Sequence, residues 1–144
     1  MKTIKTLLLV LLLCSITEVY SQSYSRSSER TWSYVASSAD GKDKYYIESE
    51  RYVNDYGYRS SWVKHEVTWL VIKGRTYYNV TEMQLWQIQP GYTRLRILKA
   101  VTYDTNMNLI EQETIEVPRF MEVVPGSVGE AIYEAIMESP YRND

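Results

Sequence analysis

Between Trp62 and Val71 the chain alternates: Val63, His65, Val67, Trp69 and Val71 fall on one side, with Lys64, Glu66 and Thr68 on the other. A period of two is the pleat of a β-strand. One apolar face opposed to a polar one is the pattern of a sheet packed on a single side, which is normally antiparallel. Leu95, Ile97, Val101 and Tyr103 repeat the pattern against Arg94, Arg96 and Thr102, with Lys99 out of phase. Strands are expected at Trp32–Ala36, Tyr45–Glu48, Tyr58–Val71, Thr81–Ile88, Arg94–Tyr103 and Leu109–Val117. Turn-forming residues separate them: Asp40-Gly41, Asp55-Tyr56-Gly57, Gly74, Pro90-Gly91 and Asp104–Asn108. No repeat of fixed period appears, so a solenoid or propeller is not indicated.

One helix is expected, near the C-terminus. Pro125-Gly126 leads into it, Ser127 is the cap, and Glu130 stands three residues on as the partner of a capping box. Val128, Ala131, Ile132, Ala135 and Ile136 then form an apolar stripe, with Glu130, Glu134 and Glu138 toward solvent. Ser139-Pro140 should end it. A meandering sheet followed by one amphipathic helix is an α+β domain of two layers: about six antiparallel strands with the C-terminal helix on one face.

The N-terminus is an address. Lys2 and Lys5 precede the apolar run Leu7–Leu13, and small or polar residues follow, as in a secretory signal. The run is too short to span a bilayer. Val19 and Ser21 satisfy the small-residue cleavage rule, so residues 1–21 are expected to be a signal peptide, 22–30 a polar spacer, and 31–140 a single folded domain. Lipid attachment at Cys14 is the competing processing, and Leu13 directly before it fits that poorly. Localisation is therefore expected to be exported: periplasmic, outer-surface or secreted.

Sixteen Lys and Arg against eighteen Asp and Glu give a net charge of −2, without the basic excess of a nucleic-acid binder. One Cys and one His supply too few ligands for a zinc site. No cofactor motif is present, because the six glycines are isolated turn formers. No nucleophile elbow occurs, and His65 between Val63 and Val67 suits a packed imidazole better than a base. Glu48 and Glu50 would suit a carboxylate pair for glycoside hydrolysis, but a solvated strand edge explains them as well. Asn79-Val80-Thr81 matches a glycosylation pattern that is common by chance. Two small basic clusters remain, Lys73 with Arg75 and Arg94 with Arg96, as candidate contacts for a protein, lipid or acidic glycan partner, although such charges are often simply solvated. Fourteen Tyr and four Trp offer stiff contact area, and Tyr is also a good strand residue.

The order of these signals resembles the surface-adhesin E family of small exported bacterial proteins. The likeness rests on Trp32, Tyr46-Ile47-Glu48, Trp62-Val63-Lys64, Arg96 before Tyr103-Asp104, and Phe120-x4-Pro125-Gly126-Ser127-x2-Glu130, spanning roughly Arg30 to Glu138. The resemblance implies a curved sheet with the helix on its concave side, and adhesion to macromolecules at the cell surface. Two cysteines usual in that family are absent, the matching stretches reading Gln87-Ile88-Gln89-Pro90 and Ala135-Ile136-Met137, and Phe120 stands where Trp is usual. The expected function is a non-enzymatic surface or envelope binding protein. An envelope structural module and a small carboxylate-dependent hydrolase are the alternatives.

Overall fold

The structure, a computed structural model, describes residues 30–138. The expected signal peptide with Cys14, the spacer up to Glu29 and the helix-ending Ser139-Pro140 lie outside the described residues. Eight strands form one antiparallel sheet: β1 (Trp32–Ser37), β2 (Lys44–Glu48), β3 (Tyr52–Val53), β4 (Arg59–Ile72), β5 (Arg75–Gln89), β6 (Arg94–Tyr103), β7 (Leu109–Thr114) and β8 (Met121–Glu122). A helix, α1 (Val128–Glu138), closes the described chain. The α+β reading holds, with eight strands rather than six. The main path runs β1-β2-β4-β5-β6-β7, while β3 pairs with the start of β4 and β8 with the start of β6.

Local chemistry sets the turns. Lys73 and Gly74 both take positive φ, 50° and 77°, and Ile72 pairs with Arg75 across them. That is the two-residue turn whose twist matches antiparallel strands. Between β6 and β7, Asp104 Oδ1 accepts the backbone amides of Asn106 and Asn108, each at 2.8 Å.

Ile47, Val63, Trp86, Ile88 and Leu95 on one sheet face meet Ile132 and Ile136 of α1. Both helix isoleucines are fully buried, so the stripe read from the sequence is the docking stripe. At the helix start, the Glu130 amide donates to Ser127 Oγ at 3.2 Å, and Glu130 Oε2 accepts from the Gly126 amide at 2.7 Å. The capping box thus closes one residue earlier than its usual form. No basic residue lies in the last turn; Arg59 of β4 supplies one instead, donating from Nη1 to the Met137 carbonyl at 2.9 Å.

One expectation about side-chain direction is corrected. Trp86 pairs with Ile97 but Leu85 with Lys99, so Leu98 is an extra residue, a β-bulge. The bulge shifts the phase of β6. Leu95 and Ile97 share the helix face with Ile88 and Trp86, whereas Val101 and Tyr103 pair with Met83 and Thr81 on the opposite face, alongside Arg94 and Arg96. The same bulge accounts for Lys99 falling out of phase.

Candidate functional site

The longest elements are β4 and β5, of 14 and 15 residues, and they outrun their neighbours. β2 ends its pairing with β4 at Glu66, and β6 ends its pairing with β5 at Thr81. From Val67 to Val80 the two strands pair only with each other, forming a two-stranded arm closed by the Lys73-Gly74 turn. The sequence reading placed the start of β5 at Thr81 and missed its first six residues.

A kink marks the base of the arm. Asn79 has φ 51°, and no Thr68–Asn79 pair interrupts the gap between Val67–Val80 and Trp69–Tyr78. The Thr68 amide donates instead to Asp43 Oδ1 at 3.0 Å. Asp43 also faces His65, with Nε2 at 3.8 Å from Oδ2, and Glu82 Oε2 lies 3.5 Å from His65 Nδ1. The imidazole stacks on Tyr45, centroids 4.1 Å apart. His65 is thus packed at the junction of core and arm, mostly covered and flanked by two carboxylates that sequence spacing did not disclose. Burial, then the charges of Asp43 and Glu82, push the Tyr45 phenol above its ordinary range.

The two faces of the arm differ. On one, Leu70, Ile72 and Tyr77 are partly covered, and Ile72, Lys73, Arg75 and Tyr77 border a depression of about 270 Å³ together with Ile110 of β7. On the other, Trp69 lies opposite Tyr78 and Val71 opposite Thr76. Trp69, Val71 and Tyr78 are 59%, 51% and 68% exposed. This face continues the one that carries Val63 and His65, beyond the reach of α1.

The four basic candidates fall at two ends of the sheet. Lys73 and Arg75 stand at the arm's tip, where Lys73 Nζ lies 2.8 Å from Glu111 Oε1 of β7. The Glu111 hydrogen bond, then its charge, raises the Lys73 ammonium above its usual range. Arg94 and Arg96 lie beside Gln89 and Gln87, twelve or more residues farther along β5 from Arg75, roughly 40 Å of strand. Arg94 Nη2 is 3.5 Å from Glu122. Arg96 gives both Nε and Nη2 to Gln87 Oε1, at 2.9 and 2.6 Å, and its guanidinium sits 4.4 Å from the Phe120 ring centroid. The structure brings each pair together and keeps the pairs apart; Arg96 is committed to packing.

Comparison with protein-family models, with curated proteins and with solved structures finds no match in any of the three. What the chain does has to be argued from its own residues.

Other groupings are structural in character. On the face away from the helix, Lys64 Nζ lies 4.2 Å from the Tyr46 ring centroid and 3.0 Å from Glu66 Oε1. Tyr46 donates its hydroxyl to Glu66 Oε2 at 3.2 Å, and burial and that carboxylate raise its phenol. Glu48 is buried, 3% exposed, and neither it nor Glu50 lines the depression under the arm, the one at its base or the one between β1 and α1. Among the described residues, no group of three or more His, Cys, Asp or Glu is placed to hold a metal ion, and no helix is long and apolar enough to cross a membrane.

Proposed function

We propose that this chain is an exported bacterial binding protein of the envelope or outer surface, adhesin-like and without catalytic activity of its own, and that the β4–β5 arm is its binding surface. One observation carries the reading: Trp69 and Tyr78, opposed across the arm, with Val71 beside them, are more than half exposed. Large amphipathic rings of this kind dominate binding interfaces when they are desolvated by a partner. The signal-like N-terminus and the resemblance to surface-adhesin E proteins support the location; the arm supports the activity.

The test uses intact cells that express the full chain. Added protease should degrade the protein without lysis, and the Trp69→Ser/Tyr78→Ser double variant should lose retention on the envelope while melting like the wild type. Complete protection in intact cells would overturn the surface location. Unchanged retention of the double variant would overturn the arm as binding surface.

A further inference from the structure

Resting on the arm as the binding surface, we propose that its partner is an anionic lipid surface, on which the arm lies flat with Trp69, Val71 and Tyr78 turned into the headgroup layer. The charge pattern is the first ground. The chain has eighteen Asp and Glu, yet none falls within residues 67–80, where Lys73 and Arg75 are the only charged residues. Both cations sit at the distal end of an otherwise uncharged ribbon, bordering the depression on the face away from Trp69, so they reach phosphates around the tip rather than beneath the rings. At the base, Lys44 and Lys42 border a depression together with Glu66, and Lys42 Nζ lies 3.7 Å from Asp40. The exposed face itself, Trp69, Val71, Thr76 and Tyr78, is entirely uncharged.

Shape is the second ground. Neither the depression at the base of the arm nor the one beneath its tip is lined by Trp69, Val71 or Tyr78. A small ligand needs a concave site with convergent polar groups, and this face has neither. A bilayer interface asks for less: apolar and aromatic side chains that enter the headgroup–acyl boundary, and peripheral cations that reach phosphates. Trp and Tyr are the side chains that settle at that depth. Six residues on each strand give the ribbon roughly 20 Å of length to lay down.

The acids near the arm do not cancel this charge. Glu111 holds Lys73 in an ion pair whose lysine side chain is 84% exposed; such a pair contributes little and exchanges readily with a lipid phosphate. Asp43 is turned to Thr68 and His65, and Glu66 to Lys64 and Tyr46.

The experiment mixes the full chain with vesicles of phosphatidylcholine alone or of equal parts phosphatidylcholine and phosphatidylglycerol. The N-terminal apolar run is common to every variant, so differences between variants report the arm. Wild type should partition more strongly into the anionic vesicles. Lys73→Gln and Arg75→Gln should each lower that partitioning about five-fold at low salt. Trp69→Ser/Tyr78→Ser should lower it at least about ten-fold. A brominated lipid should quench tryptophan emission in wild type, and the quenched fraction should vanish in Trp69→Phe, which keeps an aromatic ring. Circular dichroism and melting of each variant should match wild type, since all the substituted positions are exposed. Equal partitioning of wild type and arm variants overturns the proposal. So does binding of a soluble polyanion, dextran sulfate, with the same dependence on the arm: that result would leave the arm as the binding surface and reject lipid as its partner.

Discussion

Val63 and Val71 lie on the same face of the same strand, yet the first is 0% exposed and the second 51%. Trp86 and Tyr78 make the same contrast on β5, at 8% and 68%. Alternation decides which side of a sheet a residue takes; it does not decide whether that side is covered. Coverage comes from α1, which packs on β1, β2 and β4 through Ile132 and Ile136. Where the helix ends, an apolar face becomes a surface. The two halves of the β4–β5 hairpin are therefore chemically alike and energetically different: one is core, the other is available for contact.

The strongest way to break that comparison is to remove the cover. Ile132→Asp and Ile136→Asp each forfeit the roughly 1.5–3 kcal/mol of a buried side chain and bring in a charge that must be desolvated. Either should cost about 4 kcal/mol or more, a large share of a typical 5–15 kcal/mol, and undock α1 or unfold the domain in urea titration. Trp69→Ser and Tyr78→Ser, as large a change in side chain, should stay within about 0.5 kcal/mol of wild type. If the isoleucine variants melt like wild type, the helix does not cover the sheet through this stripe, and the contrast has another cause.

Deleting Leu98 is the next test. Without the extra residue, Ile97 and Lys99 become neighbours opposite Trp86 and Leu85, so the faces are kept. β6 nevertheless loses the bend and added twist of the bulge, and the Ile115 amide loses the Leu98 carbonyl to which it donates at 3.0 Å. The deletion should cost more than about 2 kcal/mol, and hydrogen exchange should show the loss in β6 and β7 before the arm. A deletion variant as stable as wild type would mean that the bulge does no more than lengthen the strand.

Gly74→Val sharpens the comparison from the other side. Gly74 holds φ 77° with open space around it, so a branched side chain there meets backbone strain of about 1–2 kcal/mol and no clash. If the arm is a separate energetic unit, that cost appears as faster amide exchange from Val67 to Val80, with little change in global melting. Equal acceleration throughout the sheet would make the arm part of the core's cooperative unit.

These contrasts also show which features the sequence could carry. The apolar stripe of α1 and the strands around Val63 and Leu95 were legible because their period is local, written within ten or so residues. The bulge at Leu98 was not, since register depends on Trp86 and Leu85 in another strand. Tyr52–Val53 and Met121–Glu122 are too short to show any period and exist as strands only because β4 and β6 are there to pair with them. Arg75–Val80 has no clean alternation, and its strand state follows from the Lys73-Gly74 turn that folds it back on β4. The basic residues were visible as charges; that Arg96 is spent on Gln87 and Phe120, while Arg75 stands at an exposed tip, is a matter of what each meets in space. Nothing in the spacing of Asp43, His65 and Glu82 announced that they converge, because the sheet assembles them from a turn and two strands.

The smallest expected effect lies at the boundary of the two halves, at Tyr45. Burial and the carboxylates of Asp43 and Glu82 raise its phenol above the ordinary tyrosine range, because a phenolate there would be poorly solvated and repelled by both. The folded chain therefore keeps this proton to higher pH than the unfolded chain does. Its contribution to stability is fully present below the unfolded pKa and is lost as pH rises through the raised folded value. Tyr45→Phe cannot ionise, so it should lose less stability than wild type between about pH 9 and about pH 11, although it is no more stable at neutral pH. The thirteen other tyrosines are shared by both proteins, so the difference between the two urea midpoints isolates Tyr45. Parallel loss of stability in wild type and variant would mean that the ring beside His65 is as well solvated as an open one, and the core would then end before the Tyr45–His65 stack rather than at it.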